Sequence, residues 1–387
     1  MKLTLPKVNY KLKNKDYLKK IKSITQKKDY SSNESSSILP YETKYLNESQ
    51  NLSKKFSNYS TLILVGIGGS NLGVKAIENI LIGSKQKQIL YADTVDSDNI
   101  NQILEKAIGE LRHGRKVCIN GISKSGTTLE TMQNLEFLIE KLTEYGLTPE
   151  DIILTSDKKT NFHEMALENK CHYLEIPKTV GGRYSVFSNV GLFPLAFKGI
   201  DVKKILEGAK KAMELDNEII DSVSFELACL NKQKDVENIF VFSNSFEDYG
   251  KWLKQLTAES LSKKNSKKKI IPMVTIGTTD LHSMSQLFYS HPENFFHCFY
   301  EIESNTSSKI GDADLEKTMR NIQTAVQKSF DKKKIPYSTL RISKTPEEIG
   351  LLMQFQMIKT MLLAKELGIN AFDQPDVEEY KKLIREN

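Results

Sequence analysis

The stretch Val117–Met132, VCINGISKSGTTLETM, joins an apolar run to a small polar loop and then to a helical pattern. The run Val117–Ile122 is typical of a strand inside a parallel sheet, and the helical pattern begins at Leu129. The loop 123–128 between them carries four hydroxyls and one ammonium. The amides and the dipole of a helix N-terminus attract anions, and these side chains add donors for phosphate oxygens. One interpretation of the stretch is therefore a phosphate site.

A capped helix is the alternative interpretation of the same residues. Thr127 and Glu130 have the spacing of a capping box, in which both side chains satisfy backbone amides of the first helical turn. The loop alone does not decide between these interpretations, so motifs elsewhere in the chain are needed to decide.

Strand and helix patterns alternate on both sides of this stretch, which predicts βαβ units and a mostly parallel sheet. Ligands of such sheets bind at the carboxyl ends of the strands. A second series of the same kind begins near Gly199. The predicted strands are 61–66, 88–92, 117–122, 151–155, 172–176, 238–243, 269–276, 295–301 and 337–342. The predicted helices are 71–82, 97–111, 127–145, 161–169, 202–216, 247–261, 280–289, 313–330 and 346–367.

We therefore predict an α/β protein with two doubly wound, mostly parallel-sheet domains of flavodoxin-like type. The predicted boundaries are an N-terminal extension of helices and loops at 1–60, a first domain at 61–198, a second domain at 199–370 and a C-terminal segment at 371–387.

The bulk composition is that of a protein in a reducing, aqueous compartment. No run approaches the ~18–20 apolar residues that span a bilayer, and the basic N-terminus lacks the apolar block of a secretory signal. The cysteines lie far apart and show no CxxC spacing, which argues against a disulfide framework or a zinc site. We expect a cytoplasmic location, no membrane association and no bound metal. The cysteines are Cys118, Cys171, Cys229 and Cys298.

The net charge of +6 rests on lysine, because only six of the 55 basic residues are arginine. Surfaces that bind nucleic acid favour the bidentate contacts of arginine, so we expect no nucleic-acid partner. The lysine runs Lys263–Lys269 and Lys332–Lys334 predict solvated faces. A positive average field could still steer a small anionic substrate.

Glycines follow the first predicted strand in VGIGGSNLG, Val65–Gly73. They let the backbone approach a ligand closely, and Ser70 opens the next predicted helix. A dinucleotide site is the obvious alternative. The spacing G-x-G-x-x-G fails, however, because Asn71 occupies the position of the third glycine.

Arg183 follows two glycines in GGRYSVFSNVGLFPLAF, Gly181–Phe197, at the predicted junction of the domains. Its side chain is always charged and presents a fork of donors that could stabilise a developing oxyanion. A structural salt bridge is the alternative.

Gln255 and Glu259 share one face of the helix predicted over KWLKQLTAESLSKK, Lys251–Lys264. A carboxylate on a part-buried face could act as a general base, whereas an ordinary surface glutamate is the alternative. The apolar residues Trp252, Leu253 and Leu256 mark the neighbourhood expected to be buried.

Two further motifs place polar residues at turns. In IGTTDLHSMSQL, Ile276–Leu287, His282 lies at a helix start after a strand. In NAFDQPDVEEYKK, Asn370–Lys382, Gln374 precedes a proline turn and Lys381 follows on a short helix. A structural histidine and a polar surface turn are the alternatives.

Taken together, the motifs resemble the phosphoglucose isomerase family, which is built from two sugar-isomerase domains. The match follows the order of the chain from Thr61 to the C-terminus and rests on GIGGSNLG, SKSGTT, GGRYS, QLTAES, GTTDLHS and FDQPDVE. The resemblance implies reversible isomerisation of D-glucose 6-phosphate to D-fructose 6-phosphate through a cis-enediol. It implies no redox cofactor.

The resemblance also implies a role for each matching residue. Glu259 matches the base that moves a proton between C1 and C2, and Arg183 matches the arginine that stabilises the enediolate. His282 matches a ring-opening histidine that the neighbouring subunit of a homodimer supplies, and Lys381 matches the lysine that assists ring opening. The residues that match contacts to the sugar phosphate are Gly69, Ser70, Ser123, Lys124, Ser125, Thr128, Gln255 and Gln374.

Some positions depart from the family pattern. Gly126 stands where larger members carry a bulkier residue, which would make a roomier loop, and Asp376 and Tyr380 replace glycines near Lys381. Two alternatives to a dedicated glucose-6-phosphate isomerase follow. One is a dual isomerase that also accepts mannose 6-phosphate, and the other is a sugar-phosphate-binding module without turnover.

Overall fold

A computed structural model describes residues 1–6, 10–264, 266–303, 309–310, 313–377, 379 and 383. The chain forms two compact units. The first unit is Ile24–Leu206, and the second unit combines Met1–Ser23 with Glu207–Asn387.

The strands are β1 (Lys2–Thr4), β2 (Tyr59–Val65), β3 (Gln88–Ala92), β4 (Lys116–Ile122), β5 (Ile152–Ser156), β6 (His172–Glu175), β7 (Val236–Val241), β8 (Ile271–Ile276), β9 (Phe295–Glu303), β10 (Lys309–Ile310), β11 (Ala313–Asp314) and β12 (Tyr337–Ser343). The α-helices are α1 (Tyr17–Lys27), α2 (Thr43–Lys55), α3 (Leu72–Leu81), α4 (Ser97–Arg112), α5 (Leu129–Thr143), α6 (Asn161–Glu168), α7 (Asn189–Phe197), α8 (Val202–Lys211), α9 (Asp216–Asn231), α10 (Glu247–Leu261), α11 (Leu281–Ser290), α12 (Leu315–Lys333) and α13 (Pro346–Leu367).

The first unit contains a five-stranded parallel sheet in the order β3-β2-β4-β5-β6. Numbered within the unit, this order is 2-1-3-4-5, the flavodoxin-like arrangement, and the direction of winding reverses between β2 and β4. Aliphatic side chains of the strands, among them Ile63, Ile119 and Leu154, pack with helix residues such as Leu135 of α5 to form the core. The switch point predicts a ligand site at the carboxyl ends of β2 and β4.

The second unit repeats this winding. Its sheet has the order β1-β12-β9-β7-β8, in which β7, β8, β9 and β12 run parallel and β1 pairs antiparallel with β12. Read from β8, the parallel strands have the order 2-1-3-4 when they are numbered within the unit. One cluster of its core is rich in aromatic side chains, with the rings of Phe240 and Phe299 stacked at a centroid distance of 5.0 Å.

The structure confirms the predicted fold class, and most predicted elements agree with the observed ones to within two residues. The unit boundary, however, lies at Leu206 within α8 rather than at residue 198. Residues 1–60 do not form one extension. The first 23 belong to the second unit, where β1 joins the sheet edge, and the rest belong to the first unit.

Three elements depart further from the sequence predictions. The helix predicted at 202–216 ends at Lys211, and a separate helix, α9, follows from Asp216. The helix α7 was absent from the predictions because it is buried on nearly every side and contains Pro194, so it shows no amphipathic pattern. The short charged helix expected at the C-terminus lies largely outside the described residues.

The helices and the cysteines can be compared with the expectations from composition. Across the described part of the chain, every helix is too short or too polar to cross a membrane. All four cysteines are free thiols, and Cys171 is half-buried whereas the other three are buried.

Candidate functional site

The loops after β2 and β4 meet at the switch point of the first unit. A methyl group at Gly66 would lie 3.0 Å from the carbonyl oxygen of Ile122, the last residue of β4. The chain after Gly66 forms a 3₁₀ turn, Gly68–Ser70, and α3 then begins at Leu72 rather than at Ser70. The predicted phosphate loop, 123–128, follows Ile122 directly.

Hydroxyl groups within the loop 123–128 bind one another. The buried Ser123 places its Oγ 3.0 Å from Thr128 Oγ1. The exposed Ser125 accepts hydrogen bonds from the amide of Thr127 at 3.3 Å and from its hydroxyl at 2.9 Å. The loop therefore presents a cluster of hydroxyl groups immediately before a helix N-terminus, an arrangement suited to binding an anion.

The capping box that Thr127 and Glu130 suggested is not formed. The N-cap of α5 is Thr128, and its side chain makes no capping hydrogen bond. The Thr127 hydroxyl is engaged by Ser125 instead. The first-turn amides of α5 thus receive no cap from the Thr128 side chain, which leaves their donor capacity for an anion.

Lys124 is half-buried beside these hydroxyls. Burial lowers the pKa of its ammonium, because removing charge from water is unfavourable, and the nearby carboxylate of Asp157 opposes that shift. An incoming phosphate would favour the charged lysine in the same way.

Gly126 has little room for a side chain. Its φ is +68°, and a Cβ placed on it would lie 3.0 Å from the amide nitrogen of Phe162. A side chain at this position would therefore meet the backbone of Phe162, and the roomier loop stays a prediction.

Arg183 belongs to the same group of loops. A Cβ at Gly69 would lie 2.2 Å from the carbonyl carbon of Gly182 and 2.6 Å from the amide nitrogen of Arg183. The two glycine turns, Gly68–Ser70 and Gly182–Tyr184, therefore pack backbone against backbone. The Arg183 side chain is buried, with its Cζ 5.5 Å from the ring centroid of Tyr184.

In the second unit, Gln255 and Glu259 lie on one face of α10, as predicted. The Gln255 amide donates a hydrogen bond to Glu259 Oε1 at 2.9 Å, which orients the carboxylate. The Oε1 atom of Gln255 is buried and has no hydrogen-bond partner among the described residues. A buried acceptor without a partner is costly, and a ligand hydroxyl could satisfy it. The apolar neighbours Trp252, Leu253 and Leu256 are buried, as predicted.

His282 lies in the first turn of α11, at the carboxyl end of β8, and is exposed. The turn before it is fixed by Asp280, which accepts a hydrogen bond from the Ile276 amide at 2.7 Å. The lack of a side chain at Gly277 allows contact with the ring of Phe242.

The C-terminal motif is described only in part. Gln374 is exposed and precedes a 3₁₀ turn, Pro375–Val377. The predicted catalytic residue Lys381 lies outside the described residues. The residue before Gln374, Asp373, contacts the end of α10 through Lys263.

Lys263 corrects one sequence prediction. It begins a lysine run expected to be a solvated face, yet its side chain is only 5% exposed. Its ammonium donates a hydrogen bond to the Glu259 carbonyl at 2.8 Å and forms an ion pair with Asp373 Oδ1 at 3.0 Å. Its position four residues after Glu259 was the available signal, because that spacing places a side chain over the last carbonyls of a helix.

A buried acidic cluster in the second unit also has metal-ligand chemistry. Ligand atoms of Glu226, Glu237 and Cys298 lie within 4.8 Å of one another. The ammonium of Lys359 lies 2.6 Å from Glu226 and 3.8 Å from Glu237. This ammonium already supplies the positive charge, so we interpret the cluster as a buried ion-pair network.

Sequence alignments with curated relatives extend over most of this chain. A glucose-6-phosphate isomerase of Alkaliphilus metalliredigens (strain QYMF) is 32% identical over 371 residues, covering 86% of this chain and 81% of the relative. A glucose-6-phosphate isomerase of Campylobacter jejuni is 31% identical over 351 residues and covers 84% of each chain.

Solved structures share the fold. A hypothetical protein of Thermus thermophilus has a TM-score of 0.85 at 27% identity, covering 96% of this chain and 94% of that one. A glucose-6-phosphate isomerase from Chlamydia trachomatis has a TM-score of 0.77 at 22% identity, covering 88% and 72%, which supports the fold alone. A family model described as "Phosphoglucose isomerase" matches residues 48–302, well over half of the sequence. With this match and relatives above 30% identity along most of its length, the chain belongs to the phosphoglucose isomerase family.

Proposed function

We propose that this chain catalyses the reversible isomerisation of D-glucose 6-phosphate and D-fructose 6-phosphate. The proposal is supported by the family match and by relatives named glucose-6-phosphate isomerase. The observation that carries the chemistry is the pair formed by Glu259 and Gln255. A carboxylate oriented by an amide on a half-buried helix face is held in the fixed position that a general base needs.

The proton transfer is assigned to Glu259. In the open-chain aldose, its carboxylate takes the proton from C2, the C2–H electron pair forms the C1–C2 double bond, and the carbonyl oxygen at C1 gains the negative charge. Return of the proton to C1, with proton exchange between the two oxygens, yields the ketose. The guanidinium of Arg183 stabilises the charged enediolate, a role in which loss of one donor costs roughly 10²–10³-fold in turnover.

The phosphate is assigned to the loop 123–128 of the first unit. Ser123, Lys124, Ser125 and Thr128 offer hydroxyl and ammonium donors there. Gly69 and Ser70 contribute the adjoining turn. Binding the phosphate supplies binding energy at a point remote from the reacting carbons. This energy offsets the cost of holding those carbons in the reactive orientation.

Ring opening is assigned to His282 and Lys381, and Gln255 and Gln374 are assigned as sugar contacts. In the homodimer that we propose, His282 acts on the substrate of the partner subunit. The exposure of His282 is compatible with such a role. We further propose that the enzyme works in the cytoplasm and needs no redox cofactor, since the isomerisation transfers no electrons to another molecule.

Glu259→Gln tests the proposal. The variant should bind fructose 6-phosphate yet lose isomerisation, with at least about a 10³-fold fall in kcat, because a neutral amide cannot accept the C2 proton. NMR in D₂O should show that deuterium no longer enters C2 of glucose 6-phosphate. Glu247→Gln on the same helix is the control, because Glu247 is partly exposed and pairs with Lys251. Persistent C2 exchange in Glu259→Gln would exclude this base.

Two further measurements test the alternative functions. Binding of the sugar phosphate without turnover in the unsubstituted protein would indicate a binding module. A parallel assay with mannose 6-phosphate tests dual specificity.

A further inference from the structure

The ammonium of Lys263 lies where the C-terminal segment 370–377 meets α10. Lys263 follows the last helical residue, Leu261, by two positions. Its ammonium donates to the carbonyl oxygens of Glu259 and Asp373 and pairs with the Asp373 carboxylate at 3.0 Å. These three acceptors match the three N–H groups of an ammonium. Lys263 therefore connects two parts of the second unit that are 110 residues apart in sequence.

The segment that Lys263 holds has a defined local structure. Asn370 donates from Nδ2 to Asp373 Oδ2 at 3.0 Å, and its Oδ1 accepts from the Phe372 amide at 3.0 Å. Ala371 is buried and anchors the start of the segment. The Lys264 amide lies 3.4 Å from Asp376 Oδ2 and adds a second, weaker link.

Both ends of this connection adjoin residues of the proposed site. The carbonyl that Lys263 binds belongs to Glu259, whose side chain pairs with Gln255. The carboxylate and carbonyl that it binds belong to Asp373, the residue before Gln374. We propose that Lys263 is a positioning residue that holds the segment 370–377 on the end of α10 and thereby sets Gln374 relative to Glu259. The inference rests on the roles proposed above for those two residues.

A simple helix cap is the alternative role for Lys263. Lysine near a helix C-terminus commonly binds the last carbonyls, and one of its three contacts is of that kind. A cap would affect only the stability of α10. A positioning residue must also affect the order of segment 370–377 and the use of substrate, so the two roles predict different measurements.

Lys263→Met tests the distinction, because methionine retains much of the apolar stem and loses the charge. Positioning predicts a fall in kcat/KM of about 10- to 100-fold, since small displacements of positioned groups cost this much. Lys254→Met on the exposed face of the same helix is the matched control and should change kcat/KM by less than about twofold. Lys263→Arg should recover part of the loss, because a guanidinium can still pair with Asp373.

Hydrogen exchange measured by mass spectrometry supplies a readout independent of activity. In Lys263→Met, amides of residues 370–377 should exchange at least about tenfold faster than in Lys254→Met. Asp373→Asn should produce a smaller change in the same direction, because the carbonyl contact of Asp373 remains. The double variant should resemble Lys263→Met alone, since both substitutions remove the same interaction.

Unchanged exchange in 370–377 with unchanged kcat/KM would overturn the proposal, as would additive effects of the two substitutions. A fall in thermal stability without either change would indicate a cap only. If Lys263→Met does not fold, Asp373→Asn gives the same test with a folded second unit. The outcome is separable from that of Glu259→Gln, because segment exchange requires no turnover and would respond to Lys263 even if Glu259 were not the base.

Discussion

Glu237 is the residue whose burial has the clearest measurable consequence. Its side chain is buried beside Lys359 of α13, with Glu226 of α9 and Cys298 of β9 in the same cluster. Burial raises the pKa of Glu237 to about 7, while the Lys359 ammonium opposes this shift and the Glu226 carboxylate adds to it. A hydrogen bond from Thr257 of α10 also opposes it.

The raised pKa makes stability depend on pH with a definite sign. Between about pH 4.5 and 7 the unfolded chain has lost this proton and the folded chain retains it, so raising the pH lowers the unfolding free energy. The slope from one such group is at most about 1.4 kcal/mol per pH unit and vanishes above the folded pKa. We expect Glu237→Gln to lose this dependence. Its melting temperature relative to wild type should therefore rise from pH 5 to pH 7, whereas that of Glu247→Gln should stay level.

Matching stability profiles for wild type and Glu237→Gln over this range would contradict the assignment. The sequence alone could not have indicated this residue, because a glutamate at the start of a strand is ordinarily a surface group. By contrast, Glu259 and Gln255 were predictable because helical spacing alone places them on one face. The depth at which a charge is buried depends on residues distant in sequence, here Glu226, Cys298 and Lys359.

At the scale of elements, the turns Gly68–Ser70 and Gly182–Tyr184 pack backbone against backbone and carry three residues of the proposed site, Gly69, Ser70 and Arg183. Gly69→Ala should be strongly destabilising, because its Cβ would lie 2.2 Å from the Gly182 carbonyl carbon and backbone cannot rotate away. We expect a loss of about 3 kcal/mol or more, and a fall in kcat/KM, as the turns carrying Ser70 and Arg183 separate. Calorimetry and steady-state kinetics measure the two effects.

Gly109→Ala is the matched control in the same unit. Gly109 lies inside α4, and nothing lies within 4 Å of a Cβ placed there. Alanine is preferred over glycine in a helix interior by about 0.5–1 kcal/mol, so this variant should be slightly more stable and fully active. Normal stability of Gly69→Ala would show that the turns can separate at little cost.

The elements also show what local patterns could not predict. The amphipathic helices were recognisable because one face of each is apolar. Strands β2 to β6 were recognisable as short runs of mostly apolar residues. The helix α7 is enclosed by other elements and lacks a polar face, and β1 has only three residues. Their identities depend on tertiary contacts, namely the packing of α7 against α2 and the pairing of β1 with β12.

At the scale of the molecule, two units wind their parallel strands in the same order and carry different chemistry. The first unit has hydroxyl groups and an ammonium on the loop after β4, and the buried guanidinium of Arg183 lies in a turn that packs against the loop after β2. The second unit presents a carboxylate and an amide on α10 and a histidine at the end of β8. The motifs predicted these residue types, but the sequence alone did not predict which neighbours support them, as Lys263 and the backbone contact of Gly69 with Gly182 illustrate.

The proposed homodimer can be tested by mixing two inactive variants. If His282 acts on the partner's substrate, a dimer of Glu259→Gln with His282→Ala contains one doubly substituted site and one intact site. Unfolding and refolding the variants together in equal amounts should give half heterodimers, and thus about a quarter of wild-type activity. If both residues came from one chain, every site would carry a substitution and mixing would restore nothing. Each variant refolded alone is the control, and size-exclusion chromatography with light scattering must show that the mixture is dimeric.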